Sequence, residues 1–170
     1  MTFHIRTAKA DDALNLAALS TQVWLHTYAK AGLRNTLSRY VFAAFTEKKL
    51  AAEIANGAKQ LLVCEVDACL VGYAKIAYRA ICPVRRLESV EIETLYVQEH
   101  FSGHGVGSAL LQAAMDHSRA KGWNEVFLMV NLENHRARTF YETRAFERIG
   151  TVDFALEDER HANAVLIKYL

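Results

Sequence analysis

The sequence predicts a single α/β domain over residues 1–170, of the α+β kind: a mixed, mostly antiparallel twisted sheet of about six to seven strands flanked by about four to five helices. Three observations carry that expectation. Apolar residues recur at helical spacing through most of the first third of the chain. Alternating, β-prone runs then arrive in pairs joined by short polar turns, as antiparallel hairpins do. Between those pairs, one strand leads through a glycine-rich turn directly into a strong helix.

Taken in order, Phe3-His4-Ile5-Arg6 alternates as a short first strand, and Asp11-Asp12 offers an N-cap for a helix carrying Leu14, Leu16, Ala17, Leu19, Val23 and Trp24 to about Tyr28. Gly32 and Asn35 interrupt it. Thr36 or Ser38 caps a helix with Leu37, Val41, Phe42 and Phe45, and Thr46-Glu47 opens another through Leu50, Ala51 and Ile54 that stops at Asn56-Gly57. Residues 61–66 form a strand, Asp67-Ala68 a turn, and residues 70–81 a longer strand. Pro83 lies in a loop, since proline cannot continue a paired interior strand, and Arg85 and Arg86 read as a solvated turn.

The next strand puts Val90, Ile92, Thr94 and Tyr96 on one face and Glu91, Glu93, Leu95 and Val97 on the other. Two carboxylates inside a domain need a partner or a water-filled cavity, so this face is expected to line a cleft near Glu91; an edge strand with that face in solvent is the alternative. The helix over residues 106–121 has a core face of Val106, Leu110, Ala113 and Ala114, has a polar face of Ser108, Gln112, Asp116 and Arg119, and ends at Gly122. A strand over 124–130 follows, then a helix over 135–143 capped by Asn131 or Asn134. Strands over 146–155 and 162–170, joined by the acidic Glu157-Asp158-Glu159 turn, complete the chain.

Composition narrows the partners. A 52% hydrophobic, 23% charged chain with a formal net charge of +1 shows no global bias toward nucleic acid or a membrane surface, and neither is expected as a partner. The amino terminus has no apolar run like a signal peptide, and no segment has the roughly 20 uncharged apolar residues that span a bilayer, so a cytoplasmic protein is expected. Cys64, Cys69 and Cys82 lack paired CxxC spacing and read as small core residues in a reducing compartment. The seven histidines, His4, His26, His100, His104, His117, His135 and His161, show no ligand motif, and no metal is expected.

The glycine turn is the most chemical stretch. Gly103, Gly105 and Gly107 remove side chains that would hold an oxyanion off the backbone and permit positive φ. The unpaired N–H groups of the helix that follows, with its dipole, favour a phosphate or pyrophosphate. A phosphorylated cofactor is the expected ligand.

Two motifs carry a resemblance. Ser102-Gly103-His104-Gly105-Val106-Gly107 is similar to the phosphate loop of the GNAT superfamily of acyl-CoA-dependent N-acetyltransferases, Arg/Gln-x-x-Gly-x-Gly/Ala. Asn134-His135-Arg136-Ala137-Arg138-Thr139-Phe140-Tyr141-Glu142, followed by Phe146, is similar to that family's second signature, Asn-x-x-Ala-x-x-Phe-Tyr-Glu. The resemblance covers essentially the whole chain, and residues 89–97 and 36–54 are similar to the bacterial spermidine/spermine acetyltransferase-like branch. Two positions depart from the pattern. Ser102 replaces the usual Arg or Gln, removing a charge-assisted bond to the pyrophosphate, and Ala145 stands where a helix-ending glycine is common.

The resemblance implies acetyl-CoA as cosubstrate. The backbone of Leu95 and Val97, on either side of Tyr96, would pair with the pantetheine arm, and the amides of Gly103, His104, Gly105, Val106, Gly107 and Ser108 would hold the pyrophosphate. His104 is either a partial charge substitute for Ser102 or a solvated loop residue. Asn134 bonds the cofactor arm or is an ordinary helix cap. Acetyl transfer to an amine needs a proton acceptor for an ammonium with a pKa near 10, an oxyanion stabiliser such as a backbone N–H near Leu95, and a proton for the departing thiolate. Glu91 and Glu93, about 7 Å apart at strand rise, are the candidates to take the amine proton directly or through water, or to hold a cationic substrate. Tyr141 matches the family's general acid, with a core tyrosine beside Phe140 and Phe146 as the alternative. Trp24 and Tyr28 line the acceptor pocket by family position, although their spacing alone describes a core stripe.

The acceptor expected is a polyamine or other small amine. Protein N termini or lysines are the rival acceptors, and a non-catalytic CoA-binding module is the rival to an enzyme. Family precedent favours a homodimer. A dinucleotide site is disfavoured because Glu125 starts the next strand rather than ending it.

Overall fold

The structure, a computed structural model, describes residues 2–156 and 159–170. In chain order its elements are β1 (His4–Thr7), α1 (Ala13–Tyr28), α2 (Asn35–Ala44), α3 (Glu47–Asn56), β2 (Lys59–Val66), β3 (Cys69–Ile81), β4 (Glu88–Val97), α4 (Val106–Ala120), β5 (Glu125–Asn131), α5 (His135–Glu142), β6 (Glu147–Leu156) and β7 (Glu159–Tyr169). Short 3-10 turns at Ala10–Asp12 and Glu99–Phe101 precede α1 and α4. The strands form a seven-stranded sheet in the order β1-β2-β3-β4-β5-β7-β6, the mixed sheet expected from the sequence. β4 is fourth of seven, which overturns the edge-strand alternative.

By contact density the chain divides into two compact units, Met1–Ile76 with Thr94–Ala114, and Ala77–Glu93 with Met115–Leu170; β3 and β4 each contribute residues to both. The first unit has a core of Leu16, Leu19, Leu50, Leu61, Val63 and Tyr73, which α1, α3, β2 and β3 supply from their apolar faces. Within it, Tyr73 is 1% exposed and lies 2.8 Å from the Ser20 hydroxyl. Ser20 itself donates to the Leu16 carbonyl at 2.6 Å, so the phenol is the donor to Ser20 and both buried hydroxyls are satisfied.

The first unit is also closed by an ion cluster. Arg6 on β1 forks onto Asp12, Nη1 to Oδ2 at 2.7 Å and Nη2 to Oδ1 at 2.9 Å, and Nη2 also bonds Glu65 on β2. Asp12 accepts in addition from the Lys9 amide at 2.7 Å. The expected helix cap is therefore corrected: Asp12 makes no cap bond to α1, because its carboxylate turns back to close the 3-10 turn and to meet Arg6. The guanidinium holds both carboxyl groups below the usual carboxylate range, Asp12 chiefly by its hydrogen bonds.

The second unit packs Cys82, Phe127, Val165 and Ile167 as its core. β5 pairs antiparallel with β7, and β7 with β6, while β5 pairs in parallel with β4. Arg85 lies exposed in a turn, as expected, and its Nη1 in addition bonds Glu125 at 2.6 Å, tying the β3–β4 loop to the start of β5. Cys69 is corrected, since it is exposed while Cys64 and Cys82 are buried. The second helix begins at Asn35, with no side-chain cap from Thr36 or Ser38; Thr46 caps α3 as expected by accepting from the Lys49 amide, and Gly57 ends it at φ 67°. β7 begins at Glu159, earlier than expected, and Glu157 and Asp158 lie outside the described residues.

The ion cluster sets the acid response. Carboxyl groups whose folded pKa lies below the unfolded value near 4 stabilise the fold fully above that value and lose the contribution as pH falls beneath it. Asp12→Ala should lower stability at pH 7 by about 2–3 kcal/mol and flatten the loss of stability below about pH 4. Urea titrations at both pH values check this; an unchanged midpoint at pH 7 would remove the cluster from the account.

Candidate active site

The main chain of the expected cofactor site lies in the first unit. The parallel ladder between β4 and β5 has two register pairs, Val90 with Val126 and Glu91 with Phe127. β4 continues for residues 92–97 beyond the last of them, and among the described residues these carry no register pair with β5. Leu95, Tyr96 and Val97 are half-buried there.

The approach of β3 to this segment depends on a residue that the sequence reading missed. A Cβ on Gly72 would lie 2.8 Å from the Tyr96 carbonyl oxygen, 3.2 Å from Leu110 Cδ1 and 3.3 Å from Val97 Cγ2. Only glycine lets β3 pass this closely. The signal that could have found it is a lone glycine inside a β-prone run, Leu70-Val71-Gly72-Tyr73, which marks a close backbone approach.

After the 3-10 turn the chain reverses through Gly103 (φ 78°) and Gly105 (φ 88°) into α4. A Cβ at either glycine would meet no atom within 4 Å. The left-handed backbone requires glycine there, while the space beside it is open to a ligand, as a phosphate cradle needs. Gly107 is corrected: it lies inside α4 and is not among the positive-φ glycines. The Ala109 amide bonds the Gly105 carbonyl at 3.0 Å, so the first turn of α4 closes on the glycine turn, which sits at the positive end of the helix. Ser102 is half-buried, and its carbonyl lies 2.9 Å from Nδ1 of the exposed His104.

α4 buries Val106, Leu110 and Ala114 as expected and also Leu111, Met115 and Ser118, a wider face than the four residues named from sequence; Ala113 is only half-buried. Trp24 is buried and Tyr28 is 40% exposed. Both belong to a continuous series of rings that sequence reasoning did not assemble, because its members come from three helical or loop segments and two strands. Trp24 contacts Tyr28 (centroids 4.8 Å apart) and stacks on Tyr40 (4.7 Å); Tyr40 meets Phe45 edge-on (6.0 Å), Phe45 meets Tyr96 (6.4 Å), and Tyr96 meets Tyr73 (5.7 Å).

The remaining candidates lie in the second unit. Glu91 and Glu93 are half-buried on β4. Asn134, not Asn131, caps α5 by accepting from the Ala137 amide at 3.1 Å; Asn131 is buried and accepts from the Glu133 amide at 2.8 Å. Tyr141, 8% exposed, packs edge-on between Phe140 (5.2 Å) and Phe146 (5.5 Å). Its carbonyl accepts from Arg144 and from Phe146, closing the end of α5 around Ala145 at φ 59°. Arg144 donates to the Phe140 carbonyl at 2.8 Å with its guanidinium 3.8 Å over the Phe140 ring, and Lys168 donates to the Arg144 carbonyl at 2.6 Å.

The sequence profile of the acetyltransferase (GNAT) family matches residues 30–146, more than half of the chain. The chain belongs to that family. It is accordingly an enzyme of the acetyl-CoA-dependent N-acetyltransferase class. An uncharacterised N-acetyltransferase of Mycobacterium tuberculosis is 26% identical over 160 residues, 94% of this chain and 98% of that protein. One from Methanocaldococcus jannaschii is 34% identical over 85 residues, 50% of this chain and 38% of the archaeal protein. Among solved structures, the PaiA N-acetyltransferase of Thermoplasma acidophilum, in complex with coenzyme A, superposes over all of both chains with a TM-score of 0.82 at 22% identity. An acetyltransferase of Salmonella typhimurium with its cofactor acetyl-CoA gives 0.72 at 19% identity, over 100% of this chain and 95% of that one. Likeness at these identities is a likeness of fold.

Ala145 in the left-handed region costs on the order of 1 kcal/mol that glycine would not incur. In this GNAT chain, Ala145→Gly should raise stability by about 0.5–1 kcal/mol, net of glycine's greater unfolded-state freedom. Thermal unfolding checks it, a lowered midpoint being the contrary result.

Proposed function

We propose that this GNAT enzyme transfers an acetyl group from acetyl-CoA to a small primary amine by direct attack within a ternary complex. The observation that carries the reading is the junction of β4 residues 92–97, which carry no register pair with β5 among the described residues, with the left-handed turn at Gly103 and Gly105 and the start of α4. The match over residues 30–146 supports treating residues 1–170 as one acetyltransferase domain. The reading carries with it a cytoplasmic setting, in keeping with three free thiols, and a homodimer as the assembly.

When bound, acetyl-CoA supplies an activated thioester. The chain's contributions follow from its residues. The backbone of Leu95 and Val97 pairs with the extended arm like an added strand, and the amides of residues 103–108 hold the pyrophosphate at the positive end of α4. With Ser102 in place of a cation, those amides and the helix dipole bear most of that interaction, with His104 at the rim. Glu91 or Glu93 accepts the ammonium proton, directly or through water, and presents the neutral amine. Tyr141, a phenol protonated at neutral pH by its reference pKa, donates to the departing thiolate. Asn134 spends its side-chain oxygen on the α5 cap, and so supports the helix that carries Tyr141.

The polyamine acceptor expected from the sequence rests on Glu91 and Glu93, whose charge suits a cation; the Glu157-Asp158-Glu159 turn lends it nothing structural, two of its residues being outside the described ones. Free-thiol release from acetyl-CoA against polyamines, arylalkylamines, amino acids and peptides tests the reading. Release with a small amine is expected, and none with any amine would leave only a CoA-binding module.

Two substitutions test the roles. Tyr141→Phe should lower turnover about 100-fold with little change in acetyl-CoA binding, and wild-type turnover would remove Tyr141 as the acid. Ser102→Arg should tighten acetyl-CoA binding by about 5- to 10-fold by adding a charge-assisted bond; unchanged affinity would place the pyrophosphate elsewhere.

A further inference from the structure

The peptide between Ser102 and Gly103 stands at the start of the glycine turn in the first unit. The chain on both sides of it is held. The Ser102 amide bonds the Glu99 carbonyl at 3.0 Å, and the Gly105 carbonyl accepts from the Ala109 amide at 3.0 Å. Ser102 has φ −68° and ψ 145°, and Gly103 has φ 78°. Those torsions belong to the central pair of a type II turn, where glycine supplies the positive φ at the second position. The type I alternative has ψ of about −30° at the first of the pair and φ of about −90° at the second, so the two turns differ chiefly by rotation of one peptide plane. Glycine accepts either sign of φ, and Gly103 therefore does not itself choose between them.

A neighbouring side chain does choose. Nδ1 of His104 lies 2.9 Å from the Ser102 carbonyl oxygen. A carbonyl can only accept, so Nδ1 carries the proton and the imidazole donates. The ring is otherwise exposed, and this bond rather than packing is the constraint it adds. In a trans peptide the carbonyl and the N–H point in opposite directions, so anchoring the Ser102 oxygen on the imidazole turns the Gly103 N–H to the far side. A flip to type I would exchange the two, bringing the negative end of a carbonyl dipole to the place of a donor. The exchange matters in this chain because Ser102 supplies no cation to a diphosphate, which leaves the dipoles of the turn to hold it.

Resting on the reading of this turn as the pyrophosphate site, we propose that His104 is a positioning residue for the acyl donor. Its Nδ1–H holds the Ser102–Gly103 peptide in the orientation that keeps the Gly103 N–H available to the diphosphate and the Ser102 carbonyl away from it. The role belongs to hydrogen-bond geometry and not to the charge of the ring.

Two substitutions separate geometry from charge. Asparagine places its Nδ2 donor where Nδ1 stands and is uncharged, whereas lysine is charged and has no donor at that point of the side chain. Coenzyme A binding, measured by titration calorimetry on the whole chain, is the readout and needs no acceptor. His104→Ala should raise Kd about 3- to 10-fold, the population shift that one hydrogen bond from a side chain to the backbone sustains. His104→Asn should stay within about 2-fold of wild type, and His104→Lys should be as weak as His104→Ala. The inference is overturned if His104→Ala binds as tightly as wild type, if His104→Asn is as weak as His104→Ala, or if His104→Lys keeps wild-type affinity; in each case the turn remains the coenzyme A site. If the wild-type chain binds no coenzyme A, the reading of the turn falls and the inference with it.

Discussion

The rest of the structure depends on one constraint, which on the proposed reading is that main-chain amides past residue 102 face a ligand instead of one another. A helix start leaves donors without acceptors, and a left-handed turn before it keeps the chain from filling the space with side chains. Gly103 and Gly105 meet both conditions, each at positive φ with nothing within 4 Å of an added Cβ. Gly107 does not need that freedom. On the proposed reading its value inside α4 is the absence of a side chain at the helix start, where a phosphate oxygen would come close to the backbone.

Donor amides of this kind work only if they are held still, and the neighbouring packing does the holding. Gly72 lets β3 lie against the Tyr96 carbonyl, and Leu110 on α4 reaches the same spot. The 3-10 turn is fixed by the Gln98 amide bonding the Val71 carbonyl at 2.9 Å and by Gln98 Nε2 bonding Gln22 on α1 at 2.9 Å. Strand, turn and helix are therefore braced from β3 and α1. Arg6, Asp12 and Glu65 secure the beginning of α1 at a greater distance, a role that needs charge geometry and not chemistry.

Most of the architecture was legible because it is local. The apolar periodicity of α4, the Thr46 and Gly57 limits of α3 and the two motifs around Gly105 and Tyr141 each follow from residues close in sequence. What the sequence concealed is non-local or competitive. Asp12 has the residue type of a helix cap, but an arginine six residues earlier in the chain outcompetes the helix amides for its oxygens. Asn131 and Asn134 are equal candidates by spacing, and only the path of the loop decides that Asn134 caps α5. The ring series joins Trp24 and Tyr28 to Tyr40, Phe45 and Tyr96 across residues far apart in the chain, so no window of helical or strand periodicity could reveal it.

The two departures from the family motifs differ in how they are compensated. At Ala145 the cost is conformational and is offset locally: Arg144 holds the Phe140 carbonyl and covers its ring, Lys168 holds the Arg144 carbonyl, and Phe146 closes onto the Tyr141 carbonyl. A strained residue surrounded by such contacts persists because the neighbouring bonds over-determine its backbone. The same bonds fix the end of α5, so a turn that could have loosened Tyr141 instead immobilises it between two phenylalanines. At Ser102 the loss is a charge, and packing cannot replace a charge. On the proposed reading the fixed dipoles of the turn and of α4 take its place, which makes the positive-φ geometry of Gly103 and Gly105 more consequential in this chain than in one that carries an arginine at the same place.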